Sequence, residues 1–273
     1  STLTFESPRI MGIINVTPDS FSDGGRFSSI DVALQHAQQM IADGATVIDI
    51  GGESSRPGAD PVTEAEELAR VIPAVEAIAQ RFDVVISVDT STPAVISESA
   101  AAGAHLVNDV RSLCRDGALA AAAQTGLPVC LMHWDGDPQA VKNAPEYQQP
   151  IEELVKQFLQ QRVSVCEDAG IGRDKILLDP GFGFGKNHQH NYRLLNRLES
   201  LHELGLPLLT GLSRKRMIGE ASGVDAADER VIGSVTGAVI CAMKGAKILR
   251  VHDVKETAQA IRVLSATLRE GNE

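Results

Sequence analysis

Cysteine, aromatic residues and long apolar runs are all scarce in this sequence. The four cysteines lie far apart, with no C-x-x-C pair and no dense framework, which argues against a cysteine metal site, a redox motif or a disulfide scaffold. We interpret all four as reduced thiols. No window holds the roughly 18 apolar residues that a membrane span needs, and the first residues lack the pattern of a secretory signal. We therefore expect a cytoplasmic protein without a membrane partner.

Positive charge is also in deficit, since the 273 residues carry a formal net charge of -11. Nucleic acids and anionic membranes bind proteins through basic surfaces, so this balance argues against both as partners. Hydrophobic residues make up 43% of the chain, which is ordinary for a globular protein with a buried core. Any anionic small molecule must therefore be held by local cations.

What is present is a regular alternation of short apolar runs with helical patterns. The runs are rich in β-branched residues and recur about every 25 to 40 residues. They cover residues 10–15, 46–51, 84–89, 105–109, 128–133, 175–180, 207–213 and 247–252. Between them, apolar residues repeat at three and four positions, and several segments begin with Asp, Thr or Pro and end at Gly. We predict eight strands, each followed by a helix.

Eight strand-helix units with continuously apolar strands are typical of a parallel sheet covered by helices. The count and the length both fit an α/β protein with a closed (β/α)8 TIM barrel, which typically has about 250 residues. A doubly wound open sheet is the structural alternative. No long polar linker interrupts the chain, so we predict a single domain over residues 1–273.

Polar residues end every predicted strand. In a barrel of this kind the active site lies at the carboxyl ends of the strands. The residues found there are Asn15, Glu53, Arg56, Asp89, Asn108, Asp109, His133, Asp179, Ser213, Lys215, Arg250 and His252. Any one of them could be a helix cap or a turn former. Their convergence on one rim predicts a polar pocket for a flat, heteroatom-rich ring together with an anion.

Two loops after the first strands look suited to covering this pocket. Residues 15–27 are rich in Ser, Asp, Gly and Pro, which favours a mobile lid. Residues 51–59 place Arg56 on an arm bounded by glycines. Each could equally be a simple surface turn.

The loops after the sixth, seventh and eighth predicted strands contain glycines or cations that could bind an anion. Residues 179–187 lack the G-x-G-x-x-G spacing, and Lys186 is not followed by Ser or Thr as in a Walker loop. The glycines more plainly suit a close approach of Phe182 or Phe184 to a ligand. Residues 211–219 and 250–252 bring several cations to the ends of strands 7 and 8, where barrels frequently bind phosphate.

Eight motifs occur in order between residues 11 and 254. They are MGIINVTPDSFSDGG, GGESSRPGA, SVDTS, VNDV, LMH, LDPGFGFGK, GLSRKRMIG and RVHDV. Together they resemble the dihydropteroate synthase family. The resemblance implies a barrel that binds 6-hydroxymethyl-7,8-dihydropterin diphosphate with Mg2+, admits p-aminobenzoate under two closing loops, and releases 7,8-dihydropteroate and pyrophosphate. It also implies a homodimer.

The same resemblance assigns residues to each part of the site. The pterin would contact Asp89, Asn108, Asp179 and Lys215. The diphosphate would contact Asn15, Arg250 and His252, with Asn15 also on Mg2+, a cation that prefers oxygen ligands and substrate phosphates. The p-aminobenzoate would contact Phe21, Ser55, Arg56, Pro57, Phe184 and Ser213. Catalytic roles would fall to Asp23, Arg56 and Lys215.

The implied chemistry is loss of pyrophosphate before or during attack by the arylamine, helped by cations, Mg2+ and exclusion of water. No covalent enzyme intermediate is needed. Two positions depart from the family pattern, because Ser55 stands where many members carry Thr and Trp134 follows LMH where a smaller or unbranched residue is common.

Three other functions were weighed against this one. A pterin-binding methyltransferase domain would need a partner and no diphosphate site. A non-catalytic pterin-binding paralogue would have lost polar site residues, but those named above are present. An aldolase would use Lys215 as a Schiff-base nucleophile, although neighbouring cations serve an anion site equally well.

Overall fold

The structure is a computed structural model that describes residues 3–16, 28–55, 59–134 and 149–273. Within these ranges, eight parallel strands form one sheet in the order β6-β5-β4-β3-β2-β1-β8-β7. A single bridge between Leu178 and Leu208 joins the two ends of this order. The sheet is therefore a nearly closed (β/α)8 barrel, and the predicted fold class is confirmed.

Strands and helices alternate along the described chain. The strands are β1 (Arg9–Asn15), β2 (Val47–Gly51), β3 (Val85–Asp89), β4 (Leu106–Asp109), β5 (Val129–Met132), β6 (Ile176–Asp179), β7 (Leu209–Thr210) and β8 (Ile248–Val251). The helices are α1 (Ser29–Asp43), α2 (Glu64–Arg81), α3 (Pro93–Ala102), α4 (Ala118–Thr125), α5 (Ile151–Asp168), α6 (His188–Asn196), α7 (Arg216–Ser222), α8 (Val231–Met243) and α9 (Val254–Leu268).

Strand β7 is much shorter than its apolar run predicts. The run covers residues 207–213, but only Leu209 and Thr210 are in the strand. Pro207 has no N–H to donate to a neighbouring strand. At the other end, Ser213 bonds to the side chain of His252 and so has left the ladder. Residues 211–213 of the apolar run therefore lie beyond the strand, at the rim of the barrel.

The barrel interior is divided into an apolar and a polar layer. The apolar layer is a separate cluster of Met11, Val47, Leu106, Cys130, Leu177, Leu209 and Ile248. Successive residues of a strand face opposite sides, so residues two positions further on face the same interior. Four of those positions hold Asp49, Asn108, Asp179 and Arg250, and Ser87 lies two residues after Val85, which packs against the cluster. These five residues form the polar layer nearer the carboxyl ends. The main hydrophobic core lies outside the barrel, between the sheet and the helices.

Candidate active site

Asp49 is the centre of the polar layer and is fully buried. Its Oδ2 accepts a hydrogen bond from Arg250 Nε at 2.8 Å and one from Asn108 Nδ2 at 3.2 Å. Its Oδ1 accepts one from Ser87 Oγ at 2.7 Å. A buried carboxylate needs a partner charge and hydrogen bonds, and Asp49 has both. Asp49 therefore holds Arg250 and Asn108, two of the predicted ligand-binding residues, in position.

Asp49 and Ser87 were missed by the sequence analysis, which considered only strand ends. The signal was available, because a carboxylate in the middle of the apolar strand VIDIG is rarely tolerated without a partner. Nothing in the sequence identifies that partner, since Arg250 lies 201 residues further along the chain.

Asp89 faces the same guanidinium from the end of β3. Arg250 Nη2 lies 3.5 Å from its Oδ2, and the carboxyl side chain is 15% exposed. Burial, and secondarily the charge of Asp49, raise the pKa of Asp89 to about 8, although Arg250 opposes the shift. At neutral pH this group is thus mainly a neutral acid until a donor stabilises its anion.

Asp179 and Lys215 are a second set of buried ionisable groups, and each acts on the pKa of the other. Burial raises the pKa of Asp179, while Lys215 acts in the opposite direction. Burial lowers the pKa of Lys215 to about 8, with Asp179 as the main opposing influence. Lys215 Nζ donates to the carbonyl of Phe182 at 2.6 Å and lies 4.7 Å from the ring centroid of Phe184. The ammonium group is therefore held at the pocket wall.

The glycine-rich turn after β6 makes this arrangement possible. Gly181 has a φ of +73°, and a Cβ there would lie 2.1 Å from the carbonyl oxygen of His133. Its N–H donates to Asp179 Oδ1 at 2.8 Å, so this carboxylate also closes the turn. Phe182 is fully buried in the core, whereas Phe184 lies beside Lys215. Of the two aromatic residues considered for ligand contact, Phe184 is the one that reaches the site.

Ser213 and His252 meet between the loops after β7 and β8. Ser213 Oγ lies 2.9 Å from His252 Nδ1 and accepts a hydrogen bond from the His252 N–H at 3.1 Å. Arg214, between Ser213 and Lys215, turns away to pair with both carboxylate oxygens of Asp253, at 3.2 and 2.7 Å. It therefore joins the two loops and does not itself line the anion site that we predicted there.

Glu67 supports the loop that follows Asp89. It is 1% exposed and accepts hydrogen bonds from Thr90 Oγ1 at 2.6 Å and Thr92 Oγ1 at 2.5 Å. Burial raises its pKa. Glu67 could not be recognised from the sequence. Acidic residues are common in the exposed first turn of a helix, and Glu67 lies in the first turn of α2.

The structure brings together most of the predicted residues that it describes. Arg250 pairs with both Asp49 and Asp89. Burial lowers the pKa of Arg250, but the charges of Asp49, Asp89 and Asp179 outweigh it and raise the pKa. Asn15 ends β1 on the same rim with an exposed side chain. Ser55 lines a small cleft next to Asp89. Phe21, Asp23, Arg56 and Pro57 lie outside the described residues.

Comparison with known proteins identifies the family. A family model described as pterin binding enzyme matches residues 11–252. The chain is 59% identical over 268 residues to a dihydropteroate synthase of Escherichia coli (strain K12), covering 98% of this chain and 94% of that protein. The chain belongs to the dihydropteroate synthase family. Membership at this identity makes it a transferase.

Solved structures of dihydropteroate synthases share the whole fold. A Xanthomonas albilineans enzyme with 4-aminobenzoic acid has a TM-score of 0.93 and 47% identity, covering 97% of this chain and 95% of that one. The same organism's enzyme in complex with 7,8-dihydropteroate has a TM-score of 0.89 and 44% identity, with the same coverage. The resemblance predicted from the motifs is confirmed.

The described residues contain neither a candidate membrane helix nor a candidate cluster of metal ligands. Among the described residues, no helix has the length and apolar character required to cross a membrane. In the same part of the chain, no group of three or more His, Cys, Asp and Glu side chains is arranged to hold a metal ion.

Proposed function

We propose that this chain condenses 6-hydroxymethyl-7,8-dihydropterin diphosphate with p-aminobenzoate to give 7,8-dihydropteroate and pyrophosphate. The observation that carries the proposal is the polar layer together with its neighbours at the strand ends. Arg250 pairs with Asp49 in this layer and with Asp89 at the end of β3, and the charge of Lys215 acts on Asp179. Related enzymes with 4-aminobenzoic acid and with 7,8-dihydropteroate support the assignment of arylamine and product.

The pterin ring suits the deep, carboxylate-lined part of the pocket. An aminopyrimidinone presents several N–H donors, which Asp89 and Asp179 would accept as charge-assisted hydrogen bonds. Lys215 Nζ would donate hydrogen bonds to ring acceptors. The carboxamide of Asn108 can both donate and accept hydrogen bonds. Because Asn108 is held by Asp49 at 3.2 Å, its amide is oriented before the ligand arrives.

The diphosphate suits the cationic side of the pocket. Arg250 and His252 would stabilise the negative charge that develops on pyrophosphate as the C–O bond to the pterin methylene breaks. The arylamine nitrogen then forms the new C–N bond and loses a proton. Among the described residues, we assign Phe184, Ser213 and Ser55 to contacts with the arylamine.

Asn15 is our candidate ligand for Mg2+. Its exposed amide, at the end of β1, offers the kind of hard oxygen that this ion prefers, and Mg2+ commonly takes its other ligands from substrate phosphates and water. When bound, the ion would neutralise charge on the leaving pyrophosphate. Asn15 would orient the diphosphate beside the cations of β8.

The test is an assay of pyrophosphate release with each substrate alone and with both. We expect release that depends on both substrates, and formation of 7,8-dihydropteroate in equal amount. A pterin-binding methyltransferase domain would bind the pterin without releasing pyrophosphate. Tight pterin binding with no release under any condition would contradict the proposal.

Pterin affinity should depend on pH through Asp89. The pKa of about 8 for Asp89 means that the free carboxyl group is largely protonated at pH 6, whereas the ring N–H groups prefer its anion. Binding should therefore strengthen from pH 6 to pH 8 and release protons at pH 7. Above pH 8, Lys215 loses its charge, since its pKa is also about 8, and binding should weaken again.

Calorimetry in two buffers of different ionisation enthalpy measures this proton release directly. Asp89→Asn is the control, because it removes the titrating carboxyl group and should flatten the rise between pH 6 and pH 8. Equal affinity of the unaltered chain at both pH values would show that Asp89 is already ionised without ligand.

We also propose that α8 carries a homodimer interface. This helix exposes large apolar side chains at both ends, with Ile232 85% exposed and Met243 66% exposed. Large exposed apolar side chains on one helix can mark a surface that a second copy covers. Ile232→Asp should convert a dimer into a monomer in light scattering, whereas Val263→Asp, on α9, should leave the mass unchanged. A parent that is monomeric at micromolar concentration would contradict the proposal.

A further inference from the structure

Arg111, in the turn after β4, contacts side chains from three other strand ends. Its Nη1 donates to Ser91 Oγ at 2.9 Å, and its Nη2 lies 3.8 Å from Glu53 Oε1. Its guanidinium carbon lies 6.0 Å from the ring centroid of Trp134. Arg111 thus connects the loops after β2, β3 and β5 from its own position after β4.

The backbone around Arg111 is held in an uncommon conformation. Ser112 and Leu113 both have positive φ angles, 52° and 61°, which non-glycine residues adopt only under constraint. Asp109 supplies part of that constraint by accepting from the N–H groups of Arg111 and Leu113, both at 2.9 Å. Arg162 supplies the rest by donating twice to the Ser112 carbonyl, at 3.0 and 2.7 Å. The turn therefore presents Arg111 in a fixed position.

The partner of Arg111 lies at the base of the loop that leads to Ser55. Glu53 follows β2 directly, and the backbone before it is anchored where Arg70 Nη1 donates to the Gly52 carbonyl at 3.1 Å. The small cleft beside Ser55 is lined by Glu53, Ser55, Asp89, Ser91 and Arg111, among others. Two carboxylates, Glu53 and Asp89, therefore share this cleft with a single described guanidinium.

We infer that Arg111 is a positioning residue for the arylamine half of the reaction. Its charge attracts Glu53 at 3.8 Å and holds this carboxylate at the edge of the cleft, and so sets the position of Ser55 two residues further along. Trp134 packs against the guanidinium and against Phe184, whose ring centroid lies 4.8 Å away, which keeps Arg111 in this orientation. This inference rests on the proposed function, because it concerns where p-aminobenzoate is received.

The experiment compares Arg111→Gln, Arg111→Lys and Glu53→Gln with the double variant Arg111→Gln/Glu53→Gln. We expect Arg111→Gln to raise the KM for p-aminobenzoate about ten-fold, as for loss of a charge-assisted contact. The Kd for the pterin diphosphate, measured by calorimetry, should stay within about two-fold. The side-chain contacts of Arg111 are with Glu53, Ser91 and Trp134, and none of these is assigned to the pterin. Arg111→Lys should recover part of the loss, and the double variant should be no worse than Arg111→Gln.

Arg115→Gln is the matched control. Arg115 lies in the same turn and donates to Thr92 Oγ1 at 3.3 Å, without the carboxylate of Glu53 as its partner. Its KM should match that of the parent. Emission from Trp134, the single tryptophan, should change in Arg111→Gln and not in Arg115→Gln, which reports the local geometry independently of turnover.

Two results would overturn the inference. The first is an unchanged KM for p-aminobenzoate in both Arg111→Gln and Glu53→Gln, with a parent that turns over. The second is a rise in pterin Kd equal to the rise in KM, which would make Arg111 a general support of the pocket. A parent without turnover would instead contradict the proposed function, so the two failures are distinguishable. Should Arg111→Gln fold poorly, Glu53→Gln carries the same test.

Discussion

Arg250→Met should destabilise the protein and nearly abolish condensation. Removing the guanidinium leaves the fully buried Asp49 carboxylate without its charged partner, which costs about 3 kcal/mol of the free energy of unfolding. The same change removes a cation proposed to face the pyrophosphate, and we expect turnover to fall at least about 100-fold. Urea unfolding and steady-state assays measure the two effects separately.

A double variant separates stability from catalysis at this position. Asp49→Asn in the Arg250→Met background removes the stranded charge while keeping acceptors for Ser87 and Asn108, so part of the lost stability should return. Turnover should not return with it. If activity recovered together with stability, Arg250 would serve only to neutralise Asp49, and its proposed role toward the diphosphate would be wrong.

Asp179→Asn should weaken pterin binding by about 100-fold while leaving the fold intact. The variant keeps an oxygen that can accept from the Gly181 N–H, so the turn after β6 should persist. It loses the negative charge that faces Lys215 and that would bind ring N–H groups, and charge-assisted hydrogen bonds of this kind contribute about 1.5 to 3 kcal/mol. Calorimetry with the pterin diphosphate measures the loss.

The control at this position is Asp179→Ala, which removes both functions of the side chain. It should bind the pterin no better than Asp179→Asn and should also unfold at lower urea, because the Gly181 N–H loses its acceptor. Asp179→Asn binding with the affinity of the parent would mean that the carboxylate serves only the turn, which was the alternative that the sequence left open for every strand-end acid.

Local patterns predicted the barrel well because its units are local. The eight apolar runs and the helical segments between them follow from side-chain periodicity, which neighbouring residues determine. The helical segment expected after the last apolar run is present as α9, Val254–Leu268. Strand β7 was the exception, because an apolar run does not show where pairing with a neighbouring strand stops.

The strand-end argument also located much of the site. Asp89, Asn108, Asp179, Lys215 and Arg250 were all named from their positions at or after the ends of predicted strands, and hydrogen bonds, ion pairs and charge interactions connect them in the structure. His133 was included by the same argument, but it is fully buried and packs edge-on against Phe158, 5.1 Å away. Position after a strand does not show which way a side chain points.

By itself, the sequence determined the strand count, the barrel class and the family, because periodicity and ordered motifs are properties of the chain as written. Only the tertiary structure decided which charges meet. Barrel closure brings Asp49 to Arg250 across 201 positions and Arg111 to Glu53 from a different loop. The raised pKa of Asp89 and the lowered pKa of Lys215 follow from burial and from these neighbours, and burial exists only once the strands have closed around them.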